Sequence, residues 1–203
     1  MLFISAKDHK QIYDGGKGPN TGGMGAIAPN PYCNEAVLKD FEENIMAPTL
    51  EGIKSENMDY KGIIFFGVMI TKKGNYLLEY NVRMGDPETQ AVLPLMDSDL
   101  VELIDSTLNG ELSNFNLKWK NGASCCVVAA SKGYPLGYET GFKVDGIKEA
   151  GSVFASGLKN EDGVFKTSGG RVLCTYGIGD TLDSAVKTAY DKLDKIKFSG
   201  KYF

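Results

Sequence analysis

The sequence has few of the residues and patterns that mark metal-centred and membrane proteins. Its 203 residues contain one histidine and four cysteines, and no two cysteines have C-x-x-C spacing. Four scattered cysteines with only His9 to assist make a poor tetrahedral zinc site, so we expect buried free thiols. The longest apolar run, Gly62 to Ile70, falls well short of the roughly 18 residues that a membrane span needs.

Strong charge of one sign is also lacking. The chain has 22 Lys and Arg against 26 Asp and Glu, a net charge of -4, and no long run of like charges. Such a chain is poorly suited to follow a phosphate backbone. The apolar start, Met1 to Ser5, is too short for a signal peptide. We therefore expect a cytoplasmic protein with neither a nucleic-acid nor a membrane partner, and with one or two domains.

Glycine, by contrast, is abundant and clustered. The chain has 25 glycines, and six of them lie between Asp14 and Gly25. Gly18 to Gly25 could expose consecutive backbone N–H groups as an anion nest, to which Thr21 would add a hydroxyl. The alternative is a mobile loop. The stretch lacks the G-x-x-x-x-G-K-[ST] pattern of a P-loop and does not match a dinucleotide fingerprint.

Periodicity predicts a mixed first half. Leu2 to Ala6 is a short strand candidate that begins without a preceding element, so we expect the chain to start partway through a domain. Asn34 is predicted to cap a helix that Pro48 ends or kinks. The runs Gly62–Ile70 and Tyr76–Arg83 flank a turn-like sequence and should pair as an antiparallel hairpin.

The second half is predicted to be rich in strands. Ser98 is expected to cap a helix that ends at Gly110, and residues 111–121 have the composition of a linker. We therefore predict two domains, 1–115 and 120–203. Strands are predicted at Ala123–Ala130, Ser152–Ala155, Val164–Thr167 and Arg171–Tyr176. Ser168 to Gly170 is predicted to form a hairpin turn, and Thr181 to cap a final amphipathic helix.

One predicted strand carries residues suited to chemistry. Side chains alternate between faces, so Glu79, Asn81 and Arg83 should project together. A carboxylate and an amide oxygen suit Mg²⁺, and an arginine beside them could hold a phosphate. The alternative is a solvated face of an edge strand. The following stretch, Met84 to Gln90, leads through a turn into a helix, and such corners often bind ligands.

Five motifs, in order, resemble the phosphoribosylamine-glycine ligases, also called glycinamide ribonucleotide synthetases, of the ATP-grasp superfamily. They are Asp8-His-Lys10, Lys17 to Gly25, Glu79 to Gln90, Ser131 to Pro135 and Gly169 to Leu173. The resemblance covers nearly the whole chain but only the C-terminal half of the family's length. It implies an α+β fold: the large antiparallel-sheet portion of an ATP-grasp domain plus a smaller β-rich C-terminal domain with a terminal helix.

The resemblance also implies an activity. ATP would phosphorylate the glycine carboxylate, and the amine of 5-phosphoribosylamine would displace the phosphate. Mg²⁺ or Mn²⁺ would be required, with Glu79 and Asn81 as metal ligands and Arg83 beside the transferring phosphoryl group. We assign the glycine-rich stretch to the acceptor substrate rather than to ATP. The expected substrate-binding residues are Asp8, Lys10, Asn20, Thr21, Gly22, Gly23, Asp86, Glu88 and Thr89.

The chain is expected to be a fragment that is inactive alone, because the family's nucleotide-gripping half is not in it. The alternative, from a different class, is a non-catalytic ligand-binding or assembly module that keeps the fold.

Overall fold

The computed structural model describes all 203 residues, and their packing divides the chain into two units. The first unit contains residues 1–5, 30–85 and 96–119, and the second contains residues 6–29, 86–95 and 120–203. Each unit is therefore discontinuous in sequence. The chain passes from the first unit to the second for the last time between residues 119 and 120, within the predicted linker. The division into domains 1–115 and 120–203 stays a prediction.

The strands, in chain order, are β1 (Lys7–Asp8), β2 (Gln11–Tyr13), β3 (Lys17–Asn20), β4 (Gly25–Ala28), β5 (Phe65–Thr71), β6 (Gly74–Asn81), β7 (Ala123–Ser131), β8 (Val153–Ala155), β9 (Leu158–Glu161), β10 (Val164–Thr167), β11 (Arg171–Gly179) and β12 (Lys201–Tyr202). The α-helices are α1 (Glu35–Phe41), α2 (Ala47–Ser55), α3 (Glu88–Val92), α4 (Leu100–Asn109), α5 (Ile147–Ala150) and α6 (Leu182–Leu193). No helix has the length and hydropathy that a membrane span requires.

The first unit contains a long helical segment. The Asn34 side chain accepts the Val37 N–H at 3.0 Å, which confirms the predicted cap. Pro48 does not end the helical segment, so of its two predicted effects, ending the helix or kinking it, the first is wrong. A π-helical turn, Glu42–Met46, joins α1 to α2 just before Pro48.

A β-hairpin packs beside this helical segment. β5 and β6 pair antiparallel, as predicted, but β6 ends at Asn81, so Arg83 lies beyond the strand. Phe66 on β5 makes edge-on ring contacts with Phe41 of α1, at 5.2 Å between centroids, and with Tyr80 of β6, at 5.5 Å. These aromatic contacts fasten the hairpin to the helix.

The helix α4 begins one residue later than predicted. Asp99, not Ser98, is its cap, because the Asp99 carboxylate accepts the Val101 and Glu102 N–H groups at 2.7 and 3.1 Å. The Ser98 hydroxyl instead accepts the Lys118 N–H at 2.8 Å. Gly110 ends the helix with a φ of 77°, as expected for a glycine cap.

The second unit is built on an antiparallel sheet in the order β1-β4-β7-β11-β8, with β12 also paired to β7. All nine residues of β7 are buried. The helix α6 packs against β7 and β11. The Thr181 cap on α6 is confirmed by a reciprocal capping box with Ser184.

Two predictions about strands and turns are wrong. Leu2 to Ala6 is not a strand, and the first strand is Lys7–Asp8. Ser168 to Gly170 does not turn a hairpin, because β10 pairs with β9 and β11 pairs with β7 and β8. The strand β9 was missed since three of its four residues are exposed, which leaves little apolar pattern.

The cysteines are all free. Cys125, Cys126 and Cys174 are buried, as expected, whereas Cys33 is partly exposed. Burial raises the pKa of the Cys125 thiol to about 12. A thiol held in its neutral form is a poor nucleophile and a poor metal ligand, so Cys125 acts as a small core residue.

The core of the second unit generates a stability prediction. Leu193, at the end of α6, is fully buried, whereas Leu136 is 85% exposed. We expect Leu193→Ala to lower the free energy of unfolding by about 2–5 kcal/mol, because it leaves a cavity. The matched control Leu136→Ala should change it by less than about 0.5 kcal/mol. Urea unfolding measures both, and equal losses would contradict the assignment of Leu193 to the core.

Candidate active site

The predicted site residues fall into two groups, one in each unit. Glu79, Asn81 and Arg83 belong to the first unit, and the remaining predicted residues belong to the second. The first group lies at the end of β6, and the second surrounds the glycine-rich connection between β3 and β4.

Glu79 and Asn81 lie side by side on β6. The Asn81 side-chain nitrogen is 3.3 Å from Glu79 Oε1. Gly67 faces Glu79 across the hairpin, and a Cβ at Gly67 would lie 2.8 Å from Glu79 Cγ. The absence of a side chain at Gly67 therefore leaves the space that the Glu79 side chain occupies. Sequence reasoning missed this residue, since one glycine in a strand carries no distinctive signal.

The Glu79–Asn81 pair fits a hard cation. It offers a carboxylate and an amide within contact of each other, and no cluster of three or more His, Cys, Asp or Glu side chains in the chain could hold a metal. Mg²⁺ commonly takes one or two protein oxygens and fills its other positions with water and substrate phosphates. One oxygen from each of Glu79 and Asn81 would suit that pattern once the Asn81 amide presents its oxygen instead of the nitrogen that faces Glu79, and it would not suit a closed structural metal site.

Arg83 lies two residues after the end of β6. Its Nη1 donates a hydrogen bond to the Met84 carbonyl at 2.9 Å, and the residue is exposed. The strand alternation that placed it on the same face as Asn81 does not apply there, because the regular strand has ended.

The glycine-rich connection is held by its own hydrogen bonds. The N–H and the hydroxyl of Thr21 both donate to the Lys10 carbonyl, at 2.7 and 2.8 Å. The Thr21 hydroxyl accepts the Gly23 N–H, and the Tyr134 hydroxyl accepts the Gly22 N–H, each at 2.9 Å. These three N–H groups are thus already paired, so within the Gly18 to Gly25 stretch Thr21 to Gly23 do not form the suggested anion nest. The residues themselves stay predicted substrate contacts.

Gly23 must be glycine for packing reasons. Its φ is +113°, and a Cβ there would lie 2.3 Å from Pro87 Cδ and 2.7 Å from Asp8 Oδ1. Any side chain would clash and strain the backbone. Substituting Gly23 would therefore disturb the fold, which makes it a poor position for testing substrate contacts.

Arg171 ties this connection to the turn before α3. Its Nη1 donates to the Gly22 and Asp86 carbonyls at 2.9 and 3.0 Å, and its Nη2 donates to Asp86 Oδ2 at 2.9 Å. Gln90 donates to the other Asp86 carboxylate oxygen, also at 2.9 Å. Arg171 and Tyr134 lie in two of the five motifs, but nothing in those motifs indicated which groups their side chains bind.

Two carboxyl groups, that of the partly buried Asp8 and that of the buried Glu88, lie in the same unit. Asp8 Oδ2 is 2.6 Å from Lys10 Nζ, while Asp8 Oδ1 is buried without a hydrogen-bond partner. Burial raises the pKa of both carboxyls, and the charge of Asp8 adds to the effect on Glu88. Such groups favour either a proton or a cationic neighbour such as a protonated amine.

Asn20 and Thr89 occupy the edges of this group. Asn20 is exposed at the end of β3, where its partner across the hairpin is Gln11. Thr89 is half-buried in the first turn of α3, next to Glu88.

Family models match both halves of the chain. Residues 1–89 match the phosphoribosylglycinamide synthetase ATP-grasp (A) domain, and residues 124–203 match the phosphoribosylglycinamide synthetase C domain. The fold is therefore that of an ATP-grasp protein. The chain belongs to the phosphoribosylglycinamide synthetase family, as the motifs predicted.

Individual relatives agree. The phosphoribosylamine-glycine ligase of Clostridium acetobutylicum is 64% identical over 99% of this chain and 49% of its own length. The ligase of Fusobacterium nucleatum is 49% identical, also over 99% of this chain and 49% of its own length. The crystal structure of the Thermotoga maritima ligase has a TM-score of 0.89 at 35% identity, over 98% of this chain and 50% of that one. The chain thus spans about half the length of the curated relatives it matches.

The burial of Glu88 generates a pH prediction. A raised carboxyl pKa means that the folded protein holds a proton more tightly than the unfolded chain does. The stability that this proton contributes is full below the unfolded value of 4.5 and is lost as the pH rises through the folded pKa.

The glutamine in Glu88→Gln is neutral at every pH, so we expect this variant to be more stable than the wild type at pH 7. Its free energy of unfolding should also depend less on pH above 4.5 than that of the wild type. Thermal unfolding between pH 4 and pH 8 measures this, with the exposed Glu139→Gln as the control. A parallel shift of both variants would show that burial of Glu88 is not the cause.

Proposed function

We propose that the chain supplies the metal-binding and acceptor-substrate part of an enzyme that joins glycine to 5-phosphoribosylamine in purine biosynthesis. The products are glycinamide ribonucleotide, ADP and phosphate. The observation that carries the proposal is the match of both domain models in order along the chain, with Glu79 and Asn81 inside the first. We place the activity in the cytoplasm, with small-molecule partners and with neither a nucleic-acid nor a membrane partner.

The reaction sets the demands on the protein. The γ-phosphoryl group of ATP passes to an oxygen of the glycine carboxylate, and ADP leaves. The amine of 5-phosphoribosylamine then attacks the activated carbonyl carbon: the C–N bond forms, the C–O bond to the phosphate breaks, and the nitrogen loses a proton as phosphate leaves. Such transfers depend mainly on positioning and on stabilisation of negative charge, so no protein nucleophile is needed.

Glu79 and Asn81 would hold the Mg²⁺ or Mn²⁺ ion. A bound divalent ion would supply charge neutralisation at the ATP phosphates. The protein would contribute the position of the Glu79 carboxylate, which depends on the absence of a side chain at Gly67.

Arg83 would stabilise charge on the transferring phosphoryl group. Its exposed guanidinium uses one nitrogen on the Met84 carbonyl, which leaves further N–H donors for phosphate oxygens. A fixed positive charge at the point where negative charge develops lowers the barrier.

The acceptor substrate would use the second group. Lys10, Asn20, Thr21, Asp86 and Thr89 offer polar side chains around the glycine-rich connection. The carboxyls of Asp8 and Glu88, whose pKa values burial raises, suit the amine of the substrate. Gly22 and Gly23 contribute backbone shape rather than free N–H donors.

An assay of ADP release tests the activity. We expect the 203-residue chain alone to release no ADP from ATP, glycine and 5-phosphoribosylamine, because it matches only about half of its relatives. Adding the remaining half of the Clostridium acetobutylicum relative should restore ADP release that needs all three substrates, and Glu79→Gln should abolish it. Turnover by the chain alone would contradict the expectation that it is inactive without the other half. Restored ADP release that does not depend on glycine would contradict the proposed reaction.

A metal titration tests the proposed cation site. By calorimetry, we expect the chain alone to bind Mg²⁺ weakly, since two protein oxygens cannot replace the phosphate ligands. Traces of Mn²⁺ should broaden the NMR signals of Glu79 and Asn81 first. Glu79→Gln and Gly67→Ala should reduce that broadening, whereas the exposed control Glu43→Gln should not. Submicromolar Mg²⁺ affinity, or broadening centred elsewhere, would contradict the site.

A further inference from the structure

The glycine-rich connection is fixed by two residues that lie more than a hundred positions further along the chain. We propose that Tyr134 and Arg171 are positioning residues that set the geometry of Gly22 for the acceptor substrate. The inference rests on the proposed function for its ligand, since that function assigns the connection to the acceptor. The positioning itself rests on the hydrogen bonds of Gly22.

Both backbone polar groups of Gly22 are bound by side chains. Its N–H donates to the Tyr134 hydroxyl, and its carbonyl accepts from Arg171 Nη1, each at 2.9 Å. Gly22 has no side chain whose contacts could fix its backbone. A Cβ at this position would lie 3.1 Å from both Arg171 Cζ and the Tyr134 hydroxyl. The two side chains therefore close around Gly22 and restrict rotation of its backbone.

Tyr134 is itself held in place. Its ring lies over Gly170, where a Cβ would be 2.2 Å from the ring. The Tyr138 ring contacts it at 6.1 Å between centroids. Since the ring is packed and the hydroxyl has an N–H partner, Tyr134 acts as a fixed acceptor.

The Arg171 side chain is likewise held in place by contacts within the protein. Its side chain is only 19% exposed, and its guanidinium binds Gly22 and both the carbonyl and the carboxylate of Asp86. Gln90 holds that carboxylate on its other oxygen. Arginine suits this role because its planar fork can bind several acceptors at fixed angles, which lysine cannot do.

Hydrogen exchange in the 203-residue chain without ligand tests the positioning. Tyr134→Phe keeps the packed ring and removes the acceptor, so the Gly22 amide should exchange about five-fold faster or more. Arg171→Lys keeps the charge and removes the fork, and should also speed exchange at Gly22. The Gly23 amide, which donates to Thr21, should change less than about two-fold in Tyr134→Phe.

The matched control is Tyr138→Phe, a neighbouring tyrosine that is 43% exposed. It should leave exchange at Gly22 unchanged. Melting temperatures of all variants are measured in parallel. An unchanged Gly22 exchange rate in both Tyr134→Phe and Arg171→Lys would overturn the inference, as would faster exchange spread over the whole unit.

Titration with ribose 5-phosphate, followed by NMR, separates the inference from the proposed function. We expect amide shifts at Thr21 to Gly23 in the wild type and an affinity about five- to ten-fold weaker in Tyr134→Phe. If the exchange results hold while the wild type shows no shifts at these residues, the positioning of Gly22 is supported and the assignment of the connection to the acceptor is wrong. Direct contact of the sugar phosphate with the Arg171 guanidinium would overturn the inference, because Arg171 would then be a ligand-binding residue.

Discussion

The burial of one strand, β7, is the constraint on which the second unit depends. Its neighbours in the sheet are β4, β11 and β12, and the helix α6 packs against it. Every one of its nine residues is buried, and all of them are alanine, serine, cysteine or valine. Small side chains are required because both faces of the strand are covered, which leaves little volume on either side.

This strand also sets the geometry of the candidate acceptor site. Gly25, where the glycine-rich connection enters β4, pairs with Val127, and a Cβ on Gly25 would lie 2.5 Å from the Cys126 carbonyl. Arg171 pairs with Ala130 on the other side of β7. The connection and the arginine that binds it are therefore both positioned by backbone pairing with one strand, which is more exact than positioning by flexible side chains.

Sequence reasoning found what local patterns encode. The caps Asn34 and Thr181, the β5–β6 hairpin and the family were predicted, since capping residues, turn composition and motif order are all local signals. It also brought Glu79 and Asn81 to one face, because two residues on one strand obey alternation. Strand alternation does not apply to Arg83, because β6 ends at Asn81.

Contacts between distant segments could not be predicted in the same way. Nothing in the sequence near Gly22 indicates that Tyr134 and Arg171 form hydrogen bonds with its backbone N–H and carbonyl. The possible anion nest was inferred from the local glycine-rich sequence, without knowledge of these partners. The hairpin predicted at Ser168 to Gly170 failed for the same reason: the turn composition is present, but the strands after it pair elsewhere. Pairing across long separations depends on the whole sheet rather than on the local sequence.

The discontinuity of the second unit has a consequence for synthesis on the ribosome. β4 pairs with a strand that is made roughly a hundred residues later, which is about 5–20 s at ordinary elongation rates. During that interval β4, which follows the glycine-rich connection, has only the two-residue strand β1 to pair with, and the ends of a long loop must still be brought together afterwards. The nascent connection is therefore exposed to proteases and chaperones for longer than the β5–β6 hairpin, which pairs with its immediate neighbour.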